Sequence, residues 1–357
     1  MRDRHPTSRI PNSDPHSKFQ IPHSRFRWGL IGAGDIARKR VAPALRDSPS
    51  STLTAVARAR ADLVNEFARS FGVLQAYARW QELVSDSDID GVYIATPVHL
   101  HAEQTIAAAE AGRHVLCEKP MAMNVAECDR MIAACRANHV TLGVAYYRRF
   151  YPIVRRVKAI LESGEIGDPV IVQINAFEPF NPDPDHPRYW LMKKAESGGG
   201  PMFDFGCHRL EVLLNIFGAI PRAAGMMANV RFQREVEDTA VALLQLGNGA
   251  CATIAVTHAA EAPRDTVDIY ATGGSLHIGN LNLGDLRIAA GSEHRDESHP
   301  PAANLHRPLI DDFVDAVAAG REPAVTGDVG RAVARLEEEI YGPPAQKPPR
   351  KPLACDT

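Results

Sequence analysis

The sequence predicts a two-domain protein of the α/β plus α+β class, in which a doubly wound parallel sheet is followed by a domain with a mainly antiparallel sheet. Three observations lead to this fold class. The chain has 357 residues, of which 45% are hydrophobic and 23% charged, and this length and balance suit two ordinary globular domains. The first half alternates short apolar runs with helical patterns, and after about Phe150 the apolar period changes to two residues.

The first half of the chain carries the parallel sheet and the helices that cover it. Five apolar runs predict strands, at Phe26–Ile31, Leu53–Ala57, Gly91–Ala95, His114–Cys117 and Thr141–Ala145. Four segments with helical periodicity lie between these runs, at Ile36–Arg46, Ala61–Phe71, Ala102–Ala111 and Val125–Asn138. Strands that alternate with helices form a parallel sheet covered on both faces, joined by right-handed crossovers.

The second half begins with a predicted helix at Ile153–Glu162 and then changes to strand-like patterns. Alternate residues share a face in five segments, at Val170–Ile174, Ala242–Leu246, Ala252–His258, Thr266–Ala271 and Ser275–Ile278. Glycine-rich turns separate several of them at hairpin spacing. Three more helices are predicted, at Cys207–Phe217, Ile310–Ala319 and Val329–Ile340.

The two ends of the chain predict disordered tails. Residues 1–25 and 343–357 are rich in proline and basic residues and cannot supply a core. We therefore place the folded chain at 26–342, with a domain boundary between residues 148 and 149. Three interpretations of the first tail stay open: a transit peptide, an extension without function and a wrongly assigned start of the chain.

Composition excludes several classes of function. The 40 basic and 43 acidic residues give a formal net charge of −3, so there is no global electrostatic reason to bind nucleic acid or an anionic membrane. Apolar runs are too short for a membrane span, and the first residues lack the apolar core of a secretory signal. The six cysteines show no spacing typical of a zinc site, and we expect neither a metal nor a disulfide framework. We predict a cytoplasmic protein.

A glycine motif follows the first predicted strand. Gly32, Gly34 and Ala37 form the pattern G-x-G-x-x-A between that strand and the first helix. Such glycines permit a tight turn and the close approach of a pyrophosphate to the helix N-terminus, as in the Rossmann fold. The motif predicts a dinucleotide-binding domain at residues 26–148, against the alternative of a glycine turn without a ligand.

The end of the second strand bears on the choice of cofactor. A site for NAD would offer an acidic residue there to bind the ribose 2′-hydroxyl, but the strand ends Ala57-Arg58-Ala59-Arg60. Arg58 can instead pair with the 2′-phosphate of NADP. The cofactor is therefore predicted to be NADP or NAD, with NADP favoured, and the alternative for Arg58 is a solvated arginine in a loop.

Two further segments should meet the glycine motif at one edge of the sheet. Thr96 and Pro97 follow one predicted strand, with His101 just beyond, and Glu118-Lys119-Pro120 follows the next. Ligands of doubly wound sheets bind outside the carboxyl ends of the strands. A lysine held there would have its pKa lowered by partial desolvation and neighbouring cations, which suits proton exchange with a hydroxyl. The alternative is a solvating surface lysine.

An acid and an imidazole lie four residues apart in the second half. Asp204 and His208 follow Ser197-Gly-Gly-Gly at the start of a predicted helix, so both project to one side. There the acid could orient the imidazole, or the two could share a substrate hydroxyl. The alternative is a helix N-cap aspartate beside a buried histidine.

Together these motifs resemble the Gfo/Idh/MocA family of NAD(P)-dependent oxidoreductases, named after glucose-fructose oxidoreductase and inositol dehydrogenase. The resemblance extends from about residue 26 to 342 and rests on several segments: Gly32 to Ala37, Ala95-Thr-Pro97 with His101, Glu118-Lys119-Pro120, Arg149-Phe150, Ser197 to His208, and Asp311 to Val325. It implies that residues 149–342 form a substrate and oligomerisation domain, and that the protein is a homo-dimer or homo-tetramer.

The resemblance also implies roles for individual residues. Lys119 would be the catalytic proton shuttle, Asp204 and His208 would position the substrate hydroxyl, and Arg149 would lie at the substrate edge. The cofactor would contact ten residues: Gly32, Gly34, Asp35, Ile36, Arg58, Thr96, Pro97, His101, Glu118 and Lys119. The chain departs from the family at Val98, where many relatives carry Asn, and this puts one cofactor hydrogen bond in doubt.

The implied activity is hydride transfer between the nicotinamide and a secondary alcohol of a sugar, sugar acid or cyclitol, which would be the small-molecule partner. Two rival functions stay open: a glycosidase that retains its NAD and acts by transient oxidation and elimination, and a nucleotide-sensing regulator without catalysis. A regulator could dispense with Lys119, Asp204 and His208. The Pro-rich segment Phe177–Tyr189 is either a loop over the site or ordinary surface.

Overall fold

The structure is a computed structural model that describes residues 25–342. Both predicted tails therefore lie outside the described residues, apart from Arg25. The described chain contains a parallel six-stranded sheet and a mainly antiparallel eight-stranded sheet, which confirms the predicted fold class, although the sequence predicted only five strands for each.

The first sheet is entirely parallel, with the strand order β3-β2-β1-β4-β5-β6 of a Rossmann fold. Its strands are β1 Phe26–Ile31, β2 Ser51–Ala57, β3 Gln75–Tyr77, β4 Gly91–Ile94, β5 His114–Cys117 and β6 Leu142–Val144. Its helices are α1 Ala42–Asp47, preceded by a π-helical turn at Ala37–Val41, then α2 Ala61–Phe71, α3 Trp80–Val84, α4 His101–Glu110 and α5 Val125–Ala137. The central strands are buried on both faces, which explains their continuous apolar runs.

Two short elements of this domain escaped the sequence prediction. Strand β3 has three residues and helix α3 has five, so neither is long enough to show a hydrophobic period. Strand β3 is defined by its pairing with β2 at the edge of the sheet.

The second sheet has the order β14-β13-β12-β11-β7-β10-β9-β8, and its neighbours are antiparallel except for β7 and β10. Its strands are β7 Pro169–Phe177, β8 Arg222–Ala228, β9 Thr239–Gln245, β10 Cys251–Thr257, β11 Arg264–Ala271, β12 Gly274–Ile278, β13 Asp285–Ala290 and β14 Glu293–Ser298. Strands β8, β13 and β14 were missed. Strand β14 is an edge strand of polar residues, so it carries no apolar alternation.

The second half of the described chain also contains five helices. They are α6 Pro152–Ser163, α7 Lys194–Ser197, α8 Cys207–Phe217, α9 Arg307–Ala319 and α10 Gly327–Tyr341. Helix α9 returns to the first sheet, where the Phe313 ring packs 5.5 Å from the Trp28 ring. The division at residues 148/149 stays a prediction, and the chain beyond the second sheet packs across it.

Three features of the described residues bear on function class. None of the helices in this range is long and apolar enough to cross a membrane. Four of the five described cysteines are buried, as the sequence predicts for small apolar residues, and Cys251 is exposed. Across residues 25–342, no cluster of His, Cys, Asp or Glu has the arrangement of a metal site.

Candidate active site

A cleft of about 1370 Å³ lies beyond the carboxyl ends of β1, β4 and β5 and is closed on the other side by residues of the second domain. Single small-molecule pockets usually measure about 300–1000 Å³, so this cleft has room for a dinucleotide together with a small substrate. Of the residues predicted for the site, eleven line it: Gly32, Gly34, Asp35, Ile36, Arg58, Thr96, Pro97, Glu118, Lys119, Asp204 and His208. His101 and Arg149 do not.

The glycine loop has the geometry of a pyrophosphate cradle. Gly32 adopts φ +96°, and a Cβ there would lie 2.6 Å from the carbonyl carbon of Ala95, so the turn needs glycine. A Cβ on Gly34 would meet no heavy atom within 4 Å. Protein packing therefore explains Gly32 but not Gly34, and open space above Gly34 is what a bound pyrophosphate would require.

The ribose end of the cleft is positively charged. Arg58 is half-buried and donates from Nη1 to the Ala33 carbonyl over 2.8 Å, so it is not simply a solvated loop arginine. Burial lowers the pKa of Arg58, and the charges of Arg60 and Arg38 lower it further. Arg38 and Arg60 are paired with Glu66 and Asp62, whereas Arg58 makes no ion pair within residues 25–342.

Two cofactor candidates at the start of the first helical segment are exposed in the cleft. Ile36 is 41% exposed, which is unusual for an isoleucine and leaves an apolar surface facing the open space. Asp35 forms an ion pair with Lys39 over 2.9 Å.

Thr96 and His101 connect the loops that follow β4 and β5. The two ring nitrogens of the buried His101 lie 2.9 Å from the Thr96 carbonyl and 3.0 Å from the Pro120 carbonyl. Burial lowers the pKa of His101, so it is neutral and can donate to only one of them at a time. The Thr96 hydroxyl donates to Gln104 over 2.7 Å. A direct contact of His101 with a cofactor stays a prediction, and its position suits a role in holding the two loops.

Glu118 is a buried carboxylate held from two sides. The Tyr93 hydroxyl donates to Oε1 over 2.7 Å, and the Lys119 amide donates to Oε2 over 3.2 Å. The His306 Nε2 lies 3.3 Å from Oε1 but outside hydrogen-bond geometry. Burial raises the pKa of Glu118, but His306 and Lys119 outweigh burial and hold it below its usual value.

Lys119 and Asp204 meet in the middle of the cleft. The Lys119 Nζ donates to Asp204 Oδ1 over 2.9 Å and to the Asp204 carbonyl over 2.8 Å. Both side chains are about 15% exposed, so Lys119 is not a solvating surface lysine. Asp204 lies in a π-helical turn at Met202–Gly206 and caps no helix, because the N-cap of α8 is Gly206. Such turns within helices are frequent at functional sites.

The expectation of a lowered lysine pKa was wrong. Burial does lower the pKa of Lys119, but the Asp204 carboxylate outweighs burial and leaves it above its ordinary value. In turn, burial raises the pKa of Asp204, while Lys119 and Arg188 lower it to a net value of about 2. The pair rests as ammonium and carboxylate.

The Ser197-Gly-Gly-Gly segment positions Asp204. The Gly200 amide donates to Glu237 Oε2 over 2.8 Å, and the Met202 amide donates to Oε1 over 3.3 Å. A Cβ on Gly200 would lie 2.0 Å from the Glu237 carbonyl oxygen, so only glycine permits this approach. The buried carboxylate of Glu237, not predicted from the sequence, thus anchors the turn that carries Asp204.

His208 is buried beside the Lys119 and Asp204 pair. Its ring lies 4.9 Å from the Tyr147 ring, and its Nδ1 has no hydrogen-bond partner among the described residues. Asp204 does not orient it, because the carboxylate binds Lys119 instead. Burial lowers the pKa of His208 far below its usual value, and the nearby positive charges of Lys119, Arg148 and Arg209 act in the same direction. His208 is therefore a neutral imidazole in the cleft.

Arg148, rather than the predicted Arg149, faces the cleft. Both lie in a 3₁₀ turn at Tyr147–Phe150, which rotates successive side chains by about 120°. Arg149 turns away and donates from Nε to Glu211 of α8 over 2.6 Å. The double arginine was visible in the sequence, but only the turn decides which member faces the substrate side.

Several other polar residues of the cleft gave no signal in the sequence. They come from the second domain: Arg209 from helix α8, Asp265 from strand β11, and Asn280, Asn282 and His306 from the segments between elements. Part of the Pro-rich Phe177–Tyr189 segment does line the cleft, where Arg188 Nη2 lies 3.6 Å from Asp204 Oδ2. The interpretation of that segment as a loop over the site is therefore the better one.

A dinucleotide cradle, a Lys–Asp pair and a polar second half of the cleft are the features of a nicotinamide-dependent oxidoreductase. The family comparison agrees. The profile of the Gfo/Idh/MocA oxidoreductase family, NAD-binding Rossmann fold, matches residues 26–146, and that of the GFO/IDH/MocA C-terminal domain matches residues 154–277. The chain belongs to the Gfo/Idh/MocA family of oxidoreductases.

Individual relatives are similar over most of their length. 1,5-Anhydro-D-fructose reductase of Ensifer adhaerens is 30% identical over 85% of this chain and 92% of its own length. Myo-inositol 2-dehydrogenase of Thermotoga maritima is 28% identical over 86% of this chain and 92% of its own. The structure of a levoglucosan dehydrogenase in complex with NADH superposes with a TM-score of 0.80, at 26% identity over 89% of this chain and 96% of that one.

Proposed function

We propose that this protein oxidises a secondary alcohol of a sugar, sugar acid or cyclitol to a ketone, or catalyses the reverse reduction, with Lys119 as the proton shuttle. The observation that carries the proposal is the contact between Lys119 Nζ and Asp204 Oδ1 inside the cleft, next to the glycine loop. The named activities of the relatives, on anhydrofructose, myo-inositol and levoglucosan, support the substrate class.

The bound nicotinamide would supply hydride chemistry, and the chain would handle the proton. As the resting ammonium, Lys119 can donate a proton to the oxygen of a ketone during reduction. During oxidation it must first be neutral to accept the hydroxyl proton, and Asp204 opposes that change by stabilising the ammonium. The neutral His208 offers a second hydrogen-bonding group for the same hydroxyl.

The pH dependence of oxidation tests the role that we propose for Asp204. An opposite charge within about 4–6 Å shifts a pKa by about 1–3 units. Asp204→Asn keeps the backbone carbonyl and an amide oxygen near Lys119 but removes the charge, so the pKa of Lys119 should fall. The rise of kcat/KM with pH should then move to lower pH by a similar amount. An unmoved profile in a variant with a normal unfolding transition would contradict the role.

We propose NADP as the preferred cofactor, because Arg58 lines the cleft without an ion pair among the described residues, and arginine rather than an acid directly follows β2. Arg58→Ala should raise the KM for NADP by roughly 10- to 100-fold, which corresponds to the ~1.5–3 kcal/mol of a hydrogen bond to a charged group. The KM for NAD should stay nearly unchanged. Arg60→Ala is the matched control, since Arg60 is exposed, pairs with Asp62 and does not line the cleft. Equal losses for NAD and NADP would exclude this role.

A panel of sugars, sugar acids and cyclitols, each measured by cofactor absorbance with NAD and NADP, tests the activity itself. Net reduction of the cofactor by one member supports a dehydrogenase. Steady turnover of a glycoside without reduced cofactor would instead indicate the retained-NAD glycosidase. A folded protein that binds cofactor but turns over no member of the panel would favour the regulator.

A homo-dimer or homo-tetramer is also part of the proposal. Exposed apolar side chains on the outer face of the second sheet support it, among them Met226, Val241 and Leu243 on the adjacent strands β8 and β9. Sedimentation velocity measures the assembly directly, and a monomer at enzyme concentrations in the assay would contradict it. Cytoplasmic location likewise stays a prediction.

A further inference from the structure

The substrate half of the cleft contains two buried guanidinium groups that share one carboxylate. Arg148 donates from Nη1 to Asp265 Oδ2 over 3.2 Å, and Arg209 donates from Nη2 to Asp265 Oδ1. All three side chains are about nine-tenths buried or more, and all three line the cleft. The cluster therefore holds two positive charges against one negative charge.

The groups around the cluster complete the hydrogen bonds of Asp265 but do not balance the positive charge of the second arginine. Asn282 donates to Asp265 Oδ2 over 3.0 Å, and Arg209 also donates to the Phe205 carbonyl over 3.0 Å. These partners are neutral. Rings of Tyr147 and Tyr151 lie within 6 Å of the Arg148 guanidinium and add only a weak attraction. The Nε atoms of both arginines are buried without a hydrogen-bond partner in the part of the chain that the structure describes.

The unbalanced charge lies beside the reacting groups. His208, next to Lys119, is close enough to Arg148 and Arg209 for both to lower its pKa. The Asp204 carboxylate is already paired with Lys119, so its negative charge does not offset this excess. Arg148 uses only Nη1 for Asp265, which leaves Nη2 without a hydrogen bond to another described residue. An uncompensated buried charge is costly, and a ligand that supplies the missing anion removes that cost.

We propose that the substrate is a polyol carboxylate, such as an aldonate or uronate, whose carboxylate binds at Arg148 beside Arg209. This inference rests on the proposed dehydrogenase function and narrows its substrate class. One excess positive charge matches a carboxylate better than a phosphate ester, which carries about −1.5 to −2 at neutral pH. The arginine fork also matches the two oxygens of a carboxylate.

Calorimetric titration of the intact protein with saturating cofactor tests binding, and cofactor absorbance tests turnover. The probes are two matched pairs, D-gluconate with D-glucitol and D-glucuronate with D-glucose, together with glucose 6-phosphate. For at least one pair, we expect the carboxylate to bind about tenfold tighter or more than its neutral partner, as for a hydrogen bond between charged groups. The preference should weaken as ionic strength rises.

Arg148→Gln should reduce that preference to near one, because it weakens binding of the carboxylate more than binding of its neutral partner. The variant leaves Asp265 paired with Arg209, so the remaining cluster is neutral. Arg155→Gln is the matched control, because Arg155 is exposed on α6 and does not line the cleft, and it should keep the wild-type preference. If Arg148→Gln does not fold, the wild-type ratio alone decides.

The outcomes separate this inference from the proposed activity. Three results would overturn the proposal that the substrate is a carboxylate. They are equal binding of both members of each pair, absence of binding by either member, and tighter binding of glucose 6-phosphate. Turnover of neutral polyols without a carboxylate preference would overturn it while leaving the dehydrogenase intact. A preference for carboxylates that depends on Arg148, but without turnover, would support the binding site and contradict the proposed function.

Discussion

Lys119→Met should reduce kcat by at least about 100-fold, the lower end of what general acid–base catalysis contributes. Methionine has a similar length and apolar volume but no exchangeable proton, so it removes the proton shuttle without opening a cavity. The substitution leaves Asp204 without its cation, although Arg188 remains 3.6 Å from the other carboxylate oxygen. Folding and cofactor affinity should therefore survive, and both can be measured independently of turnover.

The pH profile provides the sharper readout for Lys119. The raised pKa keeps the lysine charged through neutral pH, so wild-type oxidation should rise with pH toward the lysine pKa, while reduction should be nearly independent of it near neutrality. Lys119→Met should abolish the slope for oxidation. Lys158→Met, on the exposed face of α6, is the control and should behave like wild type. Near wild-type turnover by Lys119→Met would exclude this lysine as the shuttle.

Gly34→Val should strongly weaken dinucleotide binding while the protein remains folded. A Cβ at this position meets no heavy atom within 4 Å, and a valine side chain would extend into the space that the pyrophosphate needs. Overpacking against a rigid backbone costs about 1–3 kcal/mol, so we expect the Kd for NADP and for NAD to rise by about one to two orders of magnitude. Fluorescence titration of both cofactors measures the loss.

Two comparisons make the result for Gly34 specific. Gly34→Ala adds only the Cβ and should weaken binding less than Gly34→Val. Gly32→Ala, in contrast, should lower the thermal stability, because its Cβ would collide with the Ala95 backbone and its φ is +96°. Undiminished cofactor affinity in Gly34→Val would refute the assignment of the glycine loop.

The sequence by itself was sufficient for the features that depend on local pattern. Strands β1 and β5 and helix α8 have the predicted bounds. Buried apolar runs and helical periods can be recognised from neighbouring residues alone. The glycine motif and the Glu118-Lys119-Pro120 segment could be placed at one sheet edge, since the carboxyl ends of parallel strands meet there.

Tertiary structure alone decided which charged groups meet. Asp204 is 85 residues from Lys119 in the chain, and their contact reverses the direction expected for the lysine pKa. The 3₁₀ turn at Tyr147–Phe150 brings Arg148, and not Arg149, into the cleft, where Asp265 joins it from β11, 117 residues further on. Coulombic and hydrogen-bonding energies depend on distances of a few ångströms between residues remote in sequence, and no local period encodes those distances.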